Sequence, residues 1–147
     1  MRWLCLILLA LAFVPAASAA VPNPCALLTN AEVTKAFGGS IESRSAQGNR
    51  LYRVCTWVGH SLGAYSSARS SVVVQTNRMS NKAFVKQANQ VPGAVPLHGI
   101  GQTAYLANNG ERLGVWQQGI VVTLSLAYVS SPSQSVKSLA RIALKRL

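Results

Sequence analysis

Apolar and polar positions along the chain fall into short, punctuated blocks rather than one dominant period. The stretch "CALLTNAEVTKAFGG" carries a complete helix signature: Thr29 at the N-cap, Glu32 three residues on as its capping-box partner, Leu28 and Val33 as a hydrophobic staple, and Gly38 and Gly39 as the stop. It predicts a helix over residues 30–37, preceded by an extended leader at residues 20–24. "LYRVCTWV" is β-branched and aromatic, so it predicts a strand with Leu51, Cys55 and Trp57 on one face. "SVVVQT" is its expected hairpin partner, with the turn at Gly59 to Gly63. The polar, turn-rich "SIESRSAQGNR" reads as a loop.

A second helix is expected in "SNKAFVKQANQ", capped by Ser80, with Phe84, Val85 and Ala88 toward the core and Pro92 and Pro96 ending it. "TAYLA", "RLGVW" and "IVVTLSLAYV" are separated by the short turn signals "NNGE" and "QQG", a pattern for an antiparallel meander. The closing "SPSQSVKSLARIALKRL" predicts the longest helix, with Ser131 as cap, Pro132 at the first helical position and Gln134 completing a capping box. Val136, Leu139, Ala140, Ala143 and Leu147 share one face at the helical period, and Lys137, Arg141 and Lys145 form a stripe on the opposite side. The elements add up to an α+β fold: an antiparallel sheet flanked by helices, in the order α-β-β-α-β-β-β-α.

The amino terminus reads as an export signal rather than as part of that fold. Arg2 supplies the positive region, Trp3 to Val14 the apolar run, and Ala17, Ser18 and Ala19 a small-residue cleavage site before Ala20. The run is shorter than the roughly 20 residues that span a bilayer. This divides the chain into a signal peptide at residues 1–19 and a single α+β domain at residues 20–147, secreted or periplasmic, with no integral membrane segment after cleavage. Neither Cys5 nor Cys25 stands in a lipobox. Cys5 leaves with the signal, so Cys25 and Cys55 remain as an even pair in an oxidising compartment and are expected to form a disulfide, the alternative being two buried free thiols.

Charge adds a second constraint. The whole chain carries 14 Lys and Arg against 3 acidic residues, a formal charge of +11, and loss of Arg2 leaves +10. The acids are Glu32, Glu42 and Glu111, and there is no aspartate. Such a balance favours anionic partners, an anionic envelope component or another polyanion. The best local candidate is the stripe of Lys137, Arg141 and Lys145 as an anion-binding surface. The plainer account of the stripe is a solvated face whose cations complement the helix C-terminal dipole. Arg44, Arg50 and Arg53 are further cations that give the same salt dependence.

Candidate chemistry is sparse. Gly59, His60, Ser61, Leu62 and Gly63 spell G-x-S-x-G, the nucleophile elbow of lipases and esterases. An elbow needs a strand, a tight turn and a helix, whereas a strand is expected after this turn. The order of acid and histidine downstream, His98 before Glu111, is also reversed. No catalytic residue is assigned. Cys25, Cys55, His60 and His98 match no zinc spacing, so neither a metal site nor a cofactor is assigned. His98 reads as a loop residue, Glu32 as a cap, and Tyr105, Trp116 and Tyr128 as core or sheet-face aromatics.

"PCALLTNAEVTKAFGG", the "CTW" at Cys55 to Trp57, "GIGQTAYLA" before "LGVWQQGIVVTLSL", and the Ala- and Leu-rich closing helix together resemble the small exported proteins grouped as domain of unknown function 3558, common as actinobacterial lipoproteins. The resemblance covers most of residues 20–147. It implies a helix-flanked antiparallel sheet similar to the Mog1/PsbP-like sandwich, with the matching cysteines bonded, and it carries over no catalytic residue. The missing lipobox sets this chain apart from the lipoprotein members. Two function classes follow: an exported, non-catalytic binding or envelope-associated module that docks anionic surfaces, and, as the alternative, a small serine hydrolase using Ser61. A lysozyme inhibitor is disfavoured, because a +10 protein would repel a basic lysozyme.

Overall fold

The computed structural model describes residues 20–62 and 67–147; the signal-peptide reading at residues 1–19 and Gly63 of the G-x-S-x-G motif lie outside the described residues. The elements are α1 (Pro24–Leu27), α2 (Asn30–Phe37), β1 (Ser40–Gly48), β2 (Tyr52–His60), β3 (Arg69–Arg78), α3 (Asn81–Ala88), β4 (Val95–Leu97), β5 (Thr103–Ala107), β6 (Arg112–Gln117), β7 (Ile120–Ala127) and α4 (Pro132–Leu144). They form one seven-stranded sheet in the order β1-β2-β3-β7-β6-β5-β4, antiparallel throughout. Two meanders make it, β1 to β3 and β4 to β7. After β3 the chain crosses to the far edge through α3 and works back until β7 closes on β3.

The period-2 alternation of the strands divides the core. Cys55, Trp57, Val72, Val74, Leu113, Val115, Val122 and Leu124 face the layer built by α1, α2 and α4, where Leu27, Leu28, Val33, Phe37, Val136, Leu139, Ala140 and Ala143 complete the main cluster. On the opposite face Tyr105, Ala107 and Val121 join Phe84 of α3 in a smaller cluster. Tyr105 and Phe84 stack with ring centroids 5.6 Å apart, and Gly114 makes the seat, since a Cβ there would run into the Tyr105 ring.

The expected order α-β-β-α-β-β-β-α is present as α2-β2-β3-α3-β5-β6-β7-α4, with α1, β1 and β4 added. The capping box of α2 forms in full, the Thr29 side chain accepting from the Glu32 backbone and the Glu32 carboxylate from the Thr29 amide, and Gly38 closes the helix in the left-handed region. The leader of residues 20–24 is extended up to Asn23, whose side chain accepts from the Cys25 amide and opens α1. Cys25 on α1 and Cys55 in mid-β2 form the disulfide, Cα atoms 5.1 Å apart.

Six local expectations are corrected. The segment read as a loop is β1, a strand exposed along nearly its whole length, whose ladder with β2 is made by backbone and leaves no apolar alternation to read. The β2–β3 turn does not sit at Gly59 to Gly63: β2 continues through His60, and Gly59 pairs with Ser70 inside the ladder. Leu51 is 70% exposed because it belongs to the turn before β2, where the Asn49 side chain accepts from the Leu51 and Tyr52 amides. Val85 and Leu147 are also exposed, the first beside the narrow buried edge of α3 and the second beyond the end of α4. Ser131 precedes α4 in the left-handed region (φ 51°) and makes no side-chain cap, so the expected S-x-x-Q box is absent; its carbonyl accepts from Gln134 and Ser135 instead.

Candidate functional site

Gly59 and His60 of the G-x-S-x-G motif lie at the end of the β1–β2 ladder. Gly59 lies so close to β1 that a Cβ would collide with the Ser40 carbonyl. Ser61 follows the strand and is 1% exposed, its hydroxyl donating to the Phe37 carbonyl at 2.8 Å. Phe37 is the last residue of α2, and carbonyls at a helix end have no intrahelical partner. Ser61 therefore satisfies an orphan acceptor inside the fold, where a nucleophile would have to stand at a surface with a base beside it.

His60 has a different neighbourhood. Its Nε2 lies 2.7 Å from one Glu42 oxygen, and Arg69 donates to the other at 2.7 Å. The cluster spans three adjacent strands: His60 and Arg69 are register partners, and the irregularity between Ile41 and Ser43 of β1 carries Glu42. The Arg69 guanidinium, and after it His60, lowers the Glu42 carboxyl below the usual carboxylate range. Sequence reasoning missed this cluster because Glu42 fell in the supposed loop. His98 is exposed between β4 and β5. Among the described residues no group of three or more His, Cys, Asp or Glu is placed to hold a metal ion.

The α4 stripe is graded by helical phase. Arg141 and Lys145 are exposed, while Lys137 is half-buried beside Val136 at the margin of the packed face. None of the three meets a carboxylate among the described residues. Arg146, which the stripe did not include, leaves the helix end and forks onto both Glu32 oxygens at 2.7 Å, also donating to the Leu27 carbonyl at 2.8 Å. Arg146 first, and then the Thr29 amide, lowers the Glu32 carboxyl from 4.5 to about 2. Two of the three glutamates are thus committed to Arg146 and to Arg69.

The aromatic positions fill the fold. Trp57 is buried and its indole donates to Asn30 Oδ1 at 3.1 Å. Trp116 donates to the Met79 carbonyl at 2.7 Å, and Tyr105 lies in the smaller core. Tyr128 departs from the core or sheet-face reading: it is 55% exposed, at a left-handed position (φ 55°) just after β7. Comparison of the chain with family models, with curated proteins and with solved structures gives no match.

Proposed function

We propose that this chain is an exported, non-catalytic binding module that docks an anionic envelope surface or another polyanion through α4. The observation that carries the reading is the stripe of Lys137, Arg141 and Lys145 on a helix whose other face is packed, in a protein whose three glutamates leave most cations without a carboxylate. Charges held on one rigid face add their attraction at a planar anionic surface, at about 1 kcal/mol per cation near such a membrane. The disulfide supports export, since such bonds persist in oxidising compartments. No helix among the described residues is long and apolar enough to cross a membrane, which is compatible with peripheral attachment. The buried, carbonyl-bonded Ser61 hydroxyl supports binding over hydrolysis.

The test is sedimentation with phosphatidylglycerol–phosphatidylcholine vesicles at increasing salt. Binding should fall steeply as the Debye length shrinks below about 8 Å. Changing Lys137, Arg141 and Lys145 together to Gln should weaken it at least tenfold more than the same change at Lys35, Lys82 and Lys86, which lie on α2 and α3. Equal loss in both would overturn α4 as the docking face.

A further inference from the structure

We infer that the cleft beside the β1–β2 turn is an oxyanion-binding site for a phosphate- or sulfate-bearing ligand, separate from the α4 stripe. The cleft is open to solvent with a volume of about 390 Å³, and Asn23, Gln47, Asn49, Arg50 and Arg53 are among its lining residues. Its chemistry follows from which polar atoms are already used. Asn49 Oδ1 accepts from the Leu51 and Tyr52 amides at 2.8 and 3.1 Å, and Asn23 Oδ1 accepts from the Cys25 amide at 3.1 Å. These bonds fix the orientation of both amides, so their remaining side-chain groups are the NH₂ donors. Arg53 Nε donates to the Asn49 carbonyl at 3.3 Å, which leaves the two terminal nitrogens of its fork. Neither Arg50 nor Arg53 has a carboxylate within ion-pair distance among the described residues.

The cleft therefore offers two guanidinium groups and the NH₂ groups of Asn23 and Asn49, whose oxygens face backbone amides, beside the Gln47 amide, which can turn its own NH₂ to a ligand. A lining of donors with net positive charge calls for a ligand of several acceptor oxygens and negative charge. Arginine forks match tetrahedral oxyanions bidentately. The walls are held before any ligand arrives. The Asn49 amide donates to the Tyr52 carbonyl at 2.7 Å across the turn, and Gly48 (φ 119°) cannot take a Cβ without meeting that carbonyl. On the other side, the Val21 amide donates to the Arg50 carbonyl at 3.3 Å and the Pro22 carbonyl accepts from the Thr76 hydroxyl at 2.7 Å. Cys25, two residues beyond Asn23, is tied to Cys55 on β2. A preorganised wall reduces the ordering cost of binding.

The experiment titrates pyrophosphate, and separately sulfate, into the disulfide-bonded protein at constant ionic strength, followed by calorimetry and amide chemical shifts. Saturable one-to-one binding is expected, with shifts confined to residues 21–25 and 46–54. Competition of sulfate for the same site assigns any tetrahedral oxyanion; pyrophosphate binding without sulfate competition assigns phosphate. Arg50→Gln should weaken binding at least about tenfold, or 1.4 kcal/mol, without altering the fold, because the Arg50 side chain is exposed at the turn. Arg53→Lys, which keeps charge and loses the fork, should weaken it less than Arg53→Gln. The α4 triple Gln variant should bind pyrophosphate unchanged, so failure of the α4 reading and failure of this one are distinguishable. Absence of saturable binding, shifts scattered over α3 and α4, or full binding by Arg50→Gln would overturn the site.

Discussion

Replacing Ser61 with alanine removes the donor to the Phe37 carbonyl from a buried position, leaving an acceptor at the end of α2 without its partner. A buried group stripped of its hydrogen bond costs about 1–3 kcal/mol, so Ser61→Ala should lower the unfolding free energy measured in urea by that amount. A fluorophosphonate probe should leave native wild-type protein unlabelled; covalent labelling at Ser61 would refute the structural role. Glu32 joins two functions in one side chain, capping α2 and receiving Arg146. Its folded carboxyl stays charged down to about pH 2 against 4.5 for the free group. That contribution is complete above pH 4.5 and is lost as pH falls from 4.5 toward 2. Glu32→Gln can keep the cap's geometry while removing the charge. Denaturation followed from pH 7 to 2 should show a shallower acid loss in Glu32→Gln than in wild type; identical slopes would assign acid sensitivity to other groups. The motif made Ser61 conspicuous and composition made the three acids so, but their partners, Phe37 and Arg146, stand 24 and 114 residues away and leave no local pattern.

At the scale of elements, the sequence showed those that bury a face. α2 announces itself by its box and its glycine stop, and β5 by a run of five residues bounded by turns. The two strands it concealed are the sheet edges. β1 is polar and exposed except at Ile41, and β4 is three residues long with Pro96 inside it, a residue that sheets tolerate at an edge. Short, polar or proline-bearing edges resist pairing with other chains, so what hid them from hydrophobic pattern is also what protects the sheet. The start of α4 misled for another reason: S-x-x-Q is a capping box only if the serine is extended, and Ser131 is left-handed with its side chain unused as a cap. A non-glycine residue there carries a cost of roughly 1–2 kcal/mol. Ser131→Gly should therefore raise stability by about 0.5–1 kcal/mol in urea unfolding, whereas a working cap would make the same change destabilising. The anion cleft was likewise illegible, since it depends on the turn after the unrecognised β1 and on a leader that the disulfide brings alongside it.

For the whole molecule, the disulfide closes a segment that contains β1, the strand that hydrophobic burial holds least. The closed segment between Cys25 and Cys55 contains α2 and all of β1, and β1 has an open outer edge. The opposite half of the sheet has more independent support: β6 and β7 pack on α4 through Leu113, Val115, Val122 and Leu124, and β5 and β7 meet Phe84 of α3 through Tyr105 and Val121. Closing a loop of 30 residues removes unfolded-state entropy worth roughly 3–4 kcal/mol in the chain-entropy account. For a domain of this size that is a shift in Tm on the order of 10 °C. Reduction should lower Tm by about that much, and hydrogen exchange should accelerate first in α1, α2 and β1 while β6 and β7 keep their protection. The cleft should loosen with them, because Asn23 is positioned through α1 and the turn through β1 and β2. Pyrophosphate affinity should therefore fall on reduction at a temperature where the protein remains folded. Intact mass after alkylation supplies the control: residues 20–147 should take up two alkyl groups only after reduction. Uptake before reduction would mean open thiols, and uniform acceleration of exchange across all seven strands would mean that the bond supports the molecule globally rather than this half of it.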